Sequence, residues 1–375
     1  MSARFLTVVL ERAFNMRDGF GREIDYMRIS VIDSCNLNCY YCNPCDNNEH
    51  CHALNILSVK EVLCIVRAAT RLGIKHFRLT GGEPLLHPQL DEMVLQIKKI
   101  PGVSSVSLTT NAVLLVQHAK WLKEAGIDSI NVSLDTIDAS EYERITKKPL
   151  LEEVKHGINA AIECGIRVKI NVVLTPQTDV VALTRYVAKK GTDIRFIEMM
   201  PVGEGHTNGV EPYKKVIGTL SKLYGEPCRI NTEKTKEINS GNDKRKIPDN
   251  GPAEYYIFPE LGIRVGLIQA IHGKFCDTCN RIRVTADGRL MPCLGSSVTM
   301  DLVPDSWDFA DDAEKDFAIV RALRAAIKAK PRCHNFNDNA VTYTKTTETK
   351  TVETKTTELK AAEVNAARNM SRIGG

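Results

Sequence analysis

Ser34-Cys35-Asn36-Leu37-Asn38-Cys39-Tyr40-Tyr41-Cys42 follows directly on an apolar, β-branched run, Met27–Ile32. Three thiols this close in sequence can face one centre from a single loop, as ligands of a metal ion or of an iron–sulfur cluster. A tetrahedral ion or a four-iron cubane wants four ligands, so a trio leaves one position for something that is not protein. A second trio, Cys276, Cys279 and Cys293, lies far along the chain. Two incomplete ligand sets point to redox chemistry at open metal positions and away from structural bracing. Zinc with a distant fourth ligand is the alternative reading of either trio.

Outward from the first trio, short β-branched runs alternate with longer amphipathic stretches. The runs are Met27–Ile32, His76–Thr80, Ser105–Thr109, Ser129–Leu134, Val168–Leu174 and Ile194–Met199. Helical patterns between them include Val59–Leu72, Leu90–Ile97, Ala119–Ala125, Leu151–Cys164 and Val180–Lys189, with Gly73, Gly126 and Gly165 just past three helix ends. Six strand-then-helix units in series imply an α/β fold with a parallel sheet, either open or curled into part of a barrel. In both cases ligands gather at the carboxyl ends of the strands. The first trio, Gly81-Gly82-Glu83-Pro84, Thr109-Thr110-Asn111, Ser133-Leu134-Asp135 and Glu198-Met199-Met200-Pro201 all fall at such ends. One rim is therefore expected to carry the site, with Arg28 and Arg78 beside it.

From about Gly203 the pattern breaks. Asn231–Gly251 reads as a polar linker, and short strands follow it at Tyr255–Phe258, Arg264–Ile268, Arg281–Thr285 and Arg289–Pro292, with Asp287-Gly288 as a tight turn. In Thr342–Lys360 lysines recur every five residues among threonine and glutamate, which is neither a helical nor a strand period. The expected organisation is a barrel domain over 1–230, a smaller α+β domain carrying the second trio over 231–340, and a low-complexity spacer with a Gly-Gly tail over 341–375.

Composition narrows the function classes. Lys+Arg 50 against Asp+Glu 46 gives a net charge of +4, so nothing in the total suggests nucleic acid, and an anionic ligand would need a local cluster of cations. No apolar run approaches the roughly 18–20 residues that cross a bilayer. Met1–Leu10 does not read as a secretory leader, and with Cys-x-x-Cys spacings the 12 cysteines are expected as reduced thiols in the cytoplasm. Cys64 and Cys164 read as core. Cys45 and Cys51 are near enough to the first trio to be alternative ligands, while Cys228 and Cys333 fit no spacing rule.

The spacing of the first trio, Tyr41 before its last cysteine, and Gly81-Gly82-Glu83-Pro84 resemble the radical S-adenosylmethionine (SAM) superfamily. Phe275-Cys276-x-x-Cys279-Asn280-Arg281-x-Arg283, Thr285-Ala286-Asp287-Gly288-Arg289 and Pro292-Cys293-Leu294 narrow the resemblance to the GTP 3′,8-cyclase family. Arg28-Ile29-Ser30, Arg78-Leu79-Thr80, Arg195-Phe196-Ile197-Glu198 and the terminal Gly374-Gly375 agree. The match runs from about Gly19 to Gly295 and resumes at the last residues.

The resemblance implies a partial (β/α)6 TIM-type barrel with a C-terminal domain, two 4Fe–4S clusters, and SAM as cofactors. It implies Cys35, Cys39 and Cys42 as ligands of one cluster and Cys276, Cys279 and Cys293 of the other. Tyr41, Gly82, Ser133 and Met200 should touch SAM, and Arg28, Arg78, Thr109, Lys169, Arg281 and Arg283 should bind GTP. Gly374 and Gly375 should reach into the active site, where glycine permits close approach. The implied reaction removes hydrogen from ribose C3′ and joins that carbon to C8 of guanine. The product is (8S)-3′,8-cyclo-7,8-dihydroguanosine 5′-triphosphate, made in the first step of molybdenum cofactor biosynthesis. A one-electron donor, a downstream cyclic pyranopterin monophosphate synthase and a homodimeric state enter as implied partners.

Guanidinium forks on one strand suit phosphate oxygens, and a lysine in an apolar strand needs an anion nearby, which agrees with that chemistry. Departures from the family pattern are His76 for lysine, His87 for arginine, Asn43 for methionine, and Ala112 for the glycine that usually follows Asn111. A peptide-modifying radical SAM enzyme fits less well, since its auxiliary clusters want more cysteines. Arg281 and Arg283 also argue against it, and a zinc-binding interaction protein, which a colourless, zinc-loaded preparation would favour, is the non-enzymatic alternative.

Overall fold

Six strands place a polar residue at every second position: β1 (Tyr26–Ser30), β2 (His76–Thr80), β3 (Ser105–Thr110), β4 (Ser129–Ser133), β5 (Val168–Val173) and β6 (Asp193–Ile197). Met27, Ile29, Phe77, Leu79, Ile130, Val132, Ile194 and Phe196 are fully buried on one face. Arg28, Arg78, Ser107, Lys169 and Arg195 alternate with such residues on the other. A sheet covered by helices on both faces would be apolar nearly throughout. Period-two polarity instead puts one face under helices and turns the other toward a polar interior.

The computed structural model describes residues 16–42, 55–202, 210–230, 251–296, 299–302, 312–334 and 336. The strands β1 to β6 are neighbours in sequence order and pair in parallel. The crossovers carry α1 (Val59–Arg71), α2 (Leu90–Lys99), α3 (Leu115–Glu124), α4 (Ala139–Thr146), α5 (Leu151–Glu163) and α6 (Val180–Lys189), with α7 (Gly218–Tyr224) after β6. Helix α1 starts on a capping box: Ser58 Oγ accepts from the Glu61 N–H at 3.3 Å, and Glu61 accepts from the Ser58 N–H at 2.6 Å. Gly73, Gly126 and Gly165 take φ of 86°, 87° and 69°, as left-handed helix ends require.

The C-terminal domain is present and extends the barrel's own sheet. It supplies β7 (Cys228–Arg229), β8 (Glu254–Ile257), β9 (Arg264–Ile268), β10 (Arg281–Val284), β11 (Arg289–Met291), β12 (Met300–Asp301) and α8 (Asp312–Lys328). Strand β9 joins the free edge of β6 in parallel, and β10 joins the free edge of β1. A buried Arg264–Asp193 ion pair fastens the first of these junctions. Hairpin partners β8 and β11 then continue antiparallel on each side. Helix α8 buries Ile319, Leu323, Ala326 and Ile327 in the common core. All of the expected spacer and tail, 341–375, lies outside the described residues, as do 231–250 of the linker, Cys45 and Cys51. Of the two cysteines read as core, Cys64 is buried and Cys164 is half-buried at the end of α5.

Ala112, the departure noted above, sits buried at φ 64°. The left-handed conformation costs a residue with a Cβ about 1–2 kcal/mol, against roughly 0.4–1 kcal/mol by which alanine lowers unfolded-chain entropy. Ala112→Gly is therefore expected to raise stability by about 0.5–1 kcal/mol, read as a higher urea midpoint at unchanged slope. A lower midpoint would contradict the strain.

Candidate active site

The curled sheet encloses a cavity of about 760 Å³. Cys35, Cys39 and Cys42 line it, and so do Cys276, Cys279 and Cys293. The two trios lie at opposite ends of this one cavity. The first follows the carboxyl end of β1. Cys279 stands two residues ahead of β10, whose Arg281 pairs with Tyr26 at the start of β1. Cys293 lies two residues past β11, which runs back along β10 to the same end. The separation is thus at least about the length of β1, five residues at about 3.3 Å each. Arg28 and Arg78 likewise sit mid-strand on the interior wall and not at a rim.

A web of close backbone contacts shapes the first trio's loop. Gly82 donates its N–H to the Ile32 carbonyl at 2.7 Å, and Glu83 donates to the Ser34 carbonyl at 2.8 Å. A Cβ on Gly82 would stand 2.1 Å from the Ser34 carbonyl oxygen, and one on Gly81 2.4 Å from that of Ile32. Only glycine lets these two loops lie together. A ligand ammonium at Gly82, being a donor only, would meet its carbonyl oxygen.

Glu83, which the sequence reading quotes only as part of a turn, ties the loop to β3. It accepts from Thr110 Oγ1 at 2.6 Å and from the Asn111 and Leu85 N–H groups at 2.7 and 3.0 Å. Asn111 in turn donates to Asn36 Oδ1 at 2.7 Å, inside the cysteine loop. Tyr41 lines the cavity and gives its hydroxyl to Asp135, which also accepts from the Val173 N–H at 2.7 Å. Burial lifts the Cys35 and Cys42 thiols to about 11 and about 12, and raises Cys39 as well.

The second trio stands in a more electropositive setting. Burial pushes the Cys279 thiol up, but Lys330 and Arg281 outweigh it and leave the thiol below its ordinary value. Lys330, buried at the foot of α8, donates to the Arg281 and Pro292 carbonyls at 2.8 Å each. Arg22 grips the same region from the N-terminal side. Its guanidinium donates to the carbonyls of Cys276 at 2.7 Å, Arg332 at 2.9 Å and Pro331 at 2.6 Å, while Asp18 anchors Nε. Neither residue belongs to a recognisable motif; each is legible only once the chain ends meet.

Between the trios the wall is cationic. Arg28, Arg78, Lys169, Arg195, Arg281 and Arg283 all line the cavity. Arg195, unassigned from sequence, is oriented by Asn171 at 2.9 Å and Asn131 at 2.6 Å. Burial and then the neighbouring guanidiniums Arg283 and Arg78 hold Arg28 well below the usual arginine range. Burial and Arg281 bring Arg283 down to about 10. Arg78 Nε and Thr109 Oγ1 are buried without a hydrogen-bond partner among the described residues. Ser133 and Met200 line the cavity too; Gly374 and Gly375 lie outside the described residues.

The donor sets fit the groups that the sequence implies. Among the described residues no three Cys, His, Asp or Glu side chains converge as ligands of a single ion would. A cubane spreads its thiolates over separate irons, and each trio lies in one loop or hairpin facing a cavity with room beyond it.

Comparison with known proteins agrees with this geometry. Residues 29–182 match the Radical SAM superfamily, and 192–336 match Molybdenum Cofactor Synthesis C. A GTP 3′,8-cyclase of Clostridium perfringens (strain SM101) is 35% identical over 324 residues, covering 86% of this chain and 95% of the relative. One from Peptoclostridium acidaminophilum is 37% identical over 328 residues, covering 86% and 94%. The chain belongs to the GTP 3′,8-cyclase family. It is thus a radical SAM enzyme by family, and that family implies a 4Fe–4S cluster and SAM. The crystal structure of Streptococcus suis SuiB bound to S-adenosylmethionine shares the fold, with a TM-score of 0.54 at 15% identity over 79% of this chain and 68% of that one. Among the described residues no helix is long and apolar enough to cross a membrane.

Burial raises the Glu83 carboxyl to about 7 from 4.5. The folded state then holds this proton more tightly than the unfolded chain does. Its contribution to stability is complete below pH 4.5 and is lost as pH rises through about 7. Glu83→Gln, which cannot ionise, should therefore gain on wild type by about 2–3 kcal/mol between pH 5 and pH 8. Parallel pH profiles of the two urea midpoints would contradict the assignment.

Proposed function

We propose that this chain cyclises GTP to (8S)-3′,8-cyclo-7,8-dihydroguanosine 5′-triphosphate, using SAM and two 4Fe–4S clusters. The observation that carries the reading is one cavity lined by both cysteine trios with a wall of guanidiniums between them. Cys35, Cys39 and Cys42 would hold the cluster that meets SAM, with Tyr41, Gly82, Ser133 and Met200 around the methionine and nucleoside parts. Cys276, Cys279 and Cys293 would hold the second cluster, whose open iron faces the purine. When bound, the first cluster and SAM supply reductive cleavage and hydrogen abstraction.

The protein's own work is positioning and charge. Arg28, Arg78, Lys169, Arg281 and Arg283 would bind the nucleotide, and Thr109 Oγ1 with Arg78 Nε would make hydrogen bonds that the described residues do not offer them. Lys330 and Arg22 position the second cysteine loop against β10 through its backbone. Fixing ribose C3′ and guanine C8 in reach of each other, with solvent kept out, is what such a closed polar interior can contribute to the rate. Gly374 and Gly375 are proposed to complete the site. A one-electron donor must reduce the first cluster, and a pterin synthase would consume the product. The division of the chain at residues 230 and 340, a cytoplasmic location and a homodimer belong to the same reading.

Anaerobic incubation of the reconstituted protein with GTP, SAM and a reductant should give the cyclised dihydroguanosine triphosphate; SAM cleavage without it would reject the substrate. Cys279→Ser should lower iron from about eight to about four per chain, and unchanged iron would reject the second cluster. Arg281→Ala should weaken GTP binding at least about tenfold while SAM cleavage persists. Equal GTP affinity in the variant would remove Arg281 from the site.

A further inference from the structure

Arg167 stands one residue ahead of β5, and none of the roles assigned above uses it. Its side chain lines the cavity, and its Nη2 is buried with no hydrogen-bond partner among the described residues. An arginine at a strand end is ordinarily solvated, with every N–H in water. A guanidinium nitrogen kept from solvent and unpaired is a donor aimed at something the protein does not supply.

The register says what that something is. Successive cross-strand partners link Arg283 to Arg28, Arg28 to Arg78, Arg78 to Ser107 and Ser107 to Ser129. Ile130 pairs with Val168, and the Ile130 N–H donates to the Arg167 carbonyl at 2.9 Å, so Ser129 and Arg167 are next in the same row. All six of these side chains line the cavity. Because the sheet curls, the two ends of the row, Arg283 on β10 and Arg167 by β5, lie on opposite walls. Strand alternation also puts Arg167, Lys169 and Asn171 in one file on the cavity side of the β5 wall. The nearest carboxylate ahead of β4, Asp128, is engaged by Lys98 at 2.9 Å and by the Val106 N–H at 2.7 Å.

We propose that Arg167 binds the terminal phosphate of the nucleoside triphosphate. The assignment rests on the GTP reading given above. With the purine at the second trio, on the β10 side, the phosphate chain must run across the cavity toward β3, β4 and β5. Thr109 and Lys169 meet its nearer phosphates there, and Arg167 lies further along the same file. The last phosphate carries the most charge and three oxygens, which a planar fork can engage two at a time.

The test is calorimetric titration of GTP and of GDP into anaerobic, cluster-loaded wild type, Arg167→Gln and Arg167→Lys, each first checked for an unchanged melting temperature. Arg167→Gln should lose about ten- to a hundredfold in affinity for GTP while GDP stays within about twofold, so that the GTP-to-GDP preference collapses. Arg167→Lys, which keeps the charge without the fork, should retain part of it. An unchanged preference in a folded Arg167→Gln variant, or an equal loss for both nucleotides, would overturn the assignment while leaving the GTP reading intact. Wild type that binds neither nucleotide would overturn both.

Discussion

Like charges gathered in a buried space are the constraint on which the rest of this molecule depends. Arg28, Arg78 and Arg283 occupy adjoining places on one register row, and burial together with Arg283 and Arg78 holds Arg28 well below the usual arginine range. Lys169 is only 4% exposed and Arg283 9%. Holding such groups away from bulk water is unfavourable unless an anion shares the space. Of the cavity carboxylates, Glu83 and Asp135 serve the first cysteine loop, where they accept from Thr110, Tyr41 and backbone N–H groups. The interior is thus cationic between the two trios, a setting that suits an anionic ligand, and the strands of the barrel turn their polar faces toward it.

The two ends of the cavity are made by different means. At the carboxyl end of β1, glycines 81 and 82 permit a backbone-to-backbone contact that a single methyl group would break. Glu83 and Asn111 then lock β2 and β3 to the cysteine loop. At the far end the second trio is held by distant parts of the chain, with Arg22 near one terminus and Lys330 after α8 converging on the same loop and hairpin. Arg22 and Lys330 reach backbone carbonyls of this loop and hairpin, which fixes the backbone, while Asp18 holds Arg22 Nε. A site assembled in this way puts an open ligand position at each end and the cationic wall between.

Much of this was legible in the sequence because the strands are short and locally consistent. The strand expected at His76–Thr80 and the helix at Val180–Lys189 have those same bounds in the structure, and Gly73, Gly126 and Gly165 take the left-handed φ their positions require. Both trios were visible by their spacing, Arg281 and Arg283 as paired forks on one strand, and Lys169 as a cation costly to bury without an anion. Three things were not. Helix α8 went unread, although Asp311 with Glu314 three residues on is an N-terminal helix signal. The placement of the trios at opposite ends follows from β10 pairing in parallel with β1, a long-range choice that no local pattern encodes. Arg22, Lys330 and Arg195 act through partners far away in sequence, although the alternation of Arg195 with Ile194 and Phe196 was a usable sign that β6 has a polar face.

The most direct test of the account is the melting temperature of the cluster-free protein with GTP, with inorganic triphosphate and with guanosine. A ligand that binds only the folded state raises that temperature with its concentration. Both triphosphates are expected to raise it, and guanosine at the same concentration to leave it nearly unchanged. A shift with guanosine alone, or none with either triphosphate, would contradict a cavity whose cationic wall binds a polyphosphate.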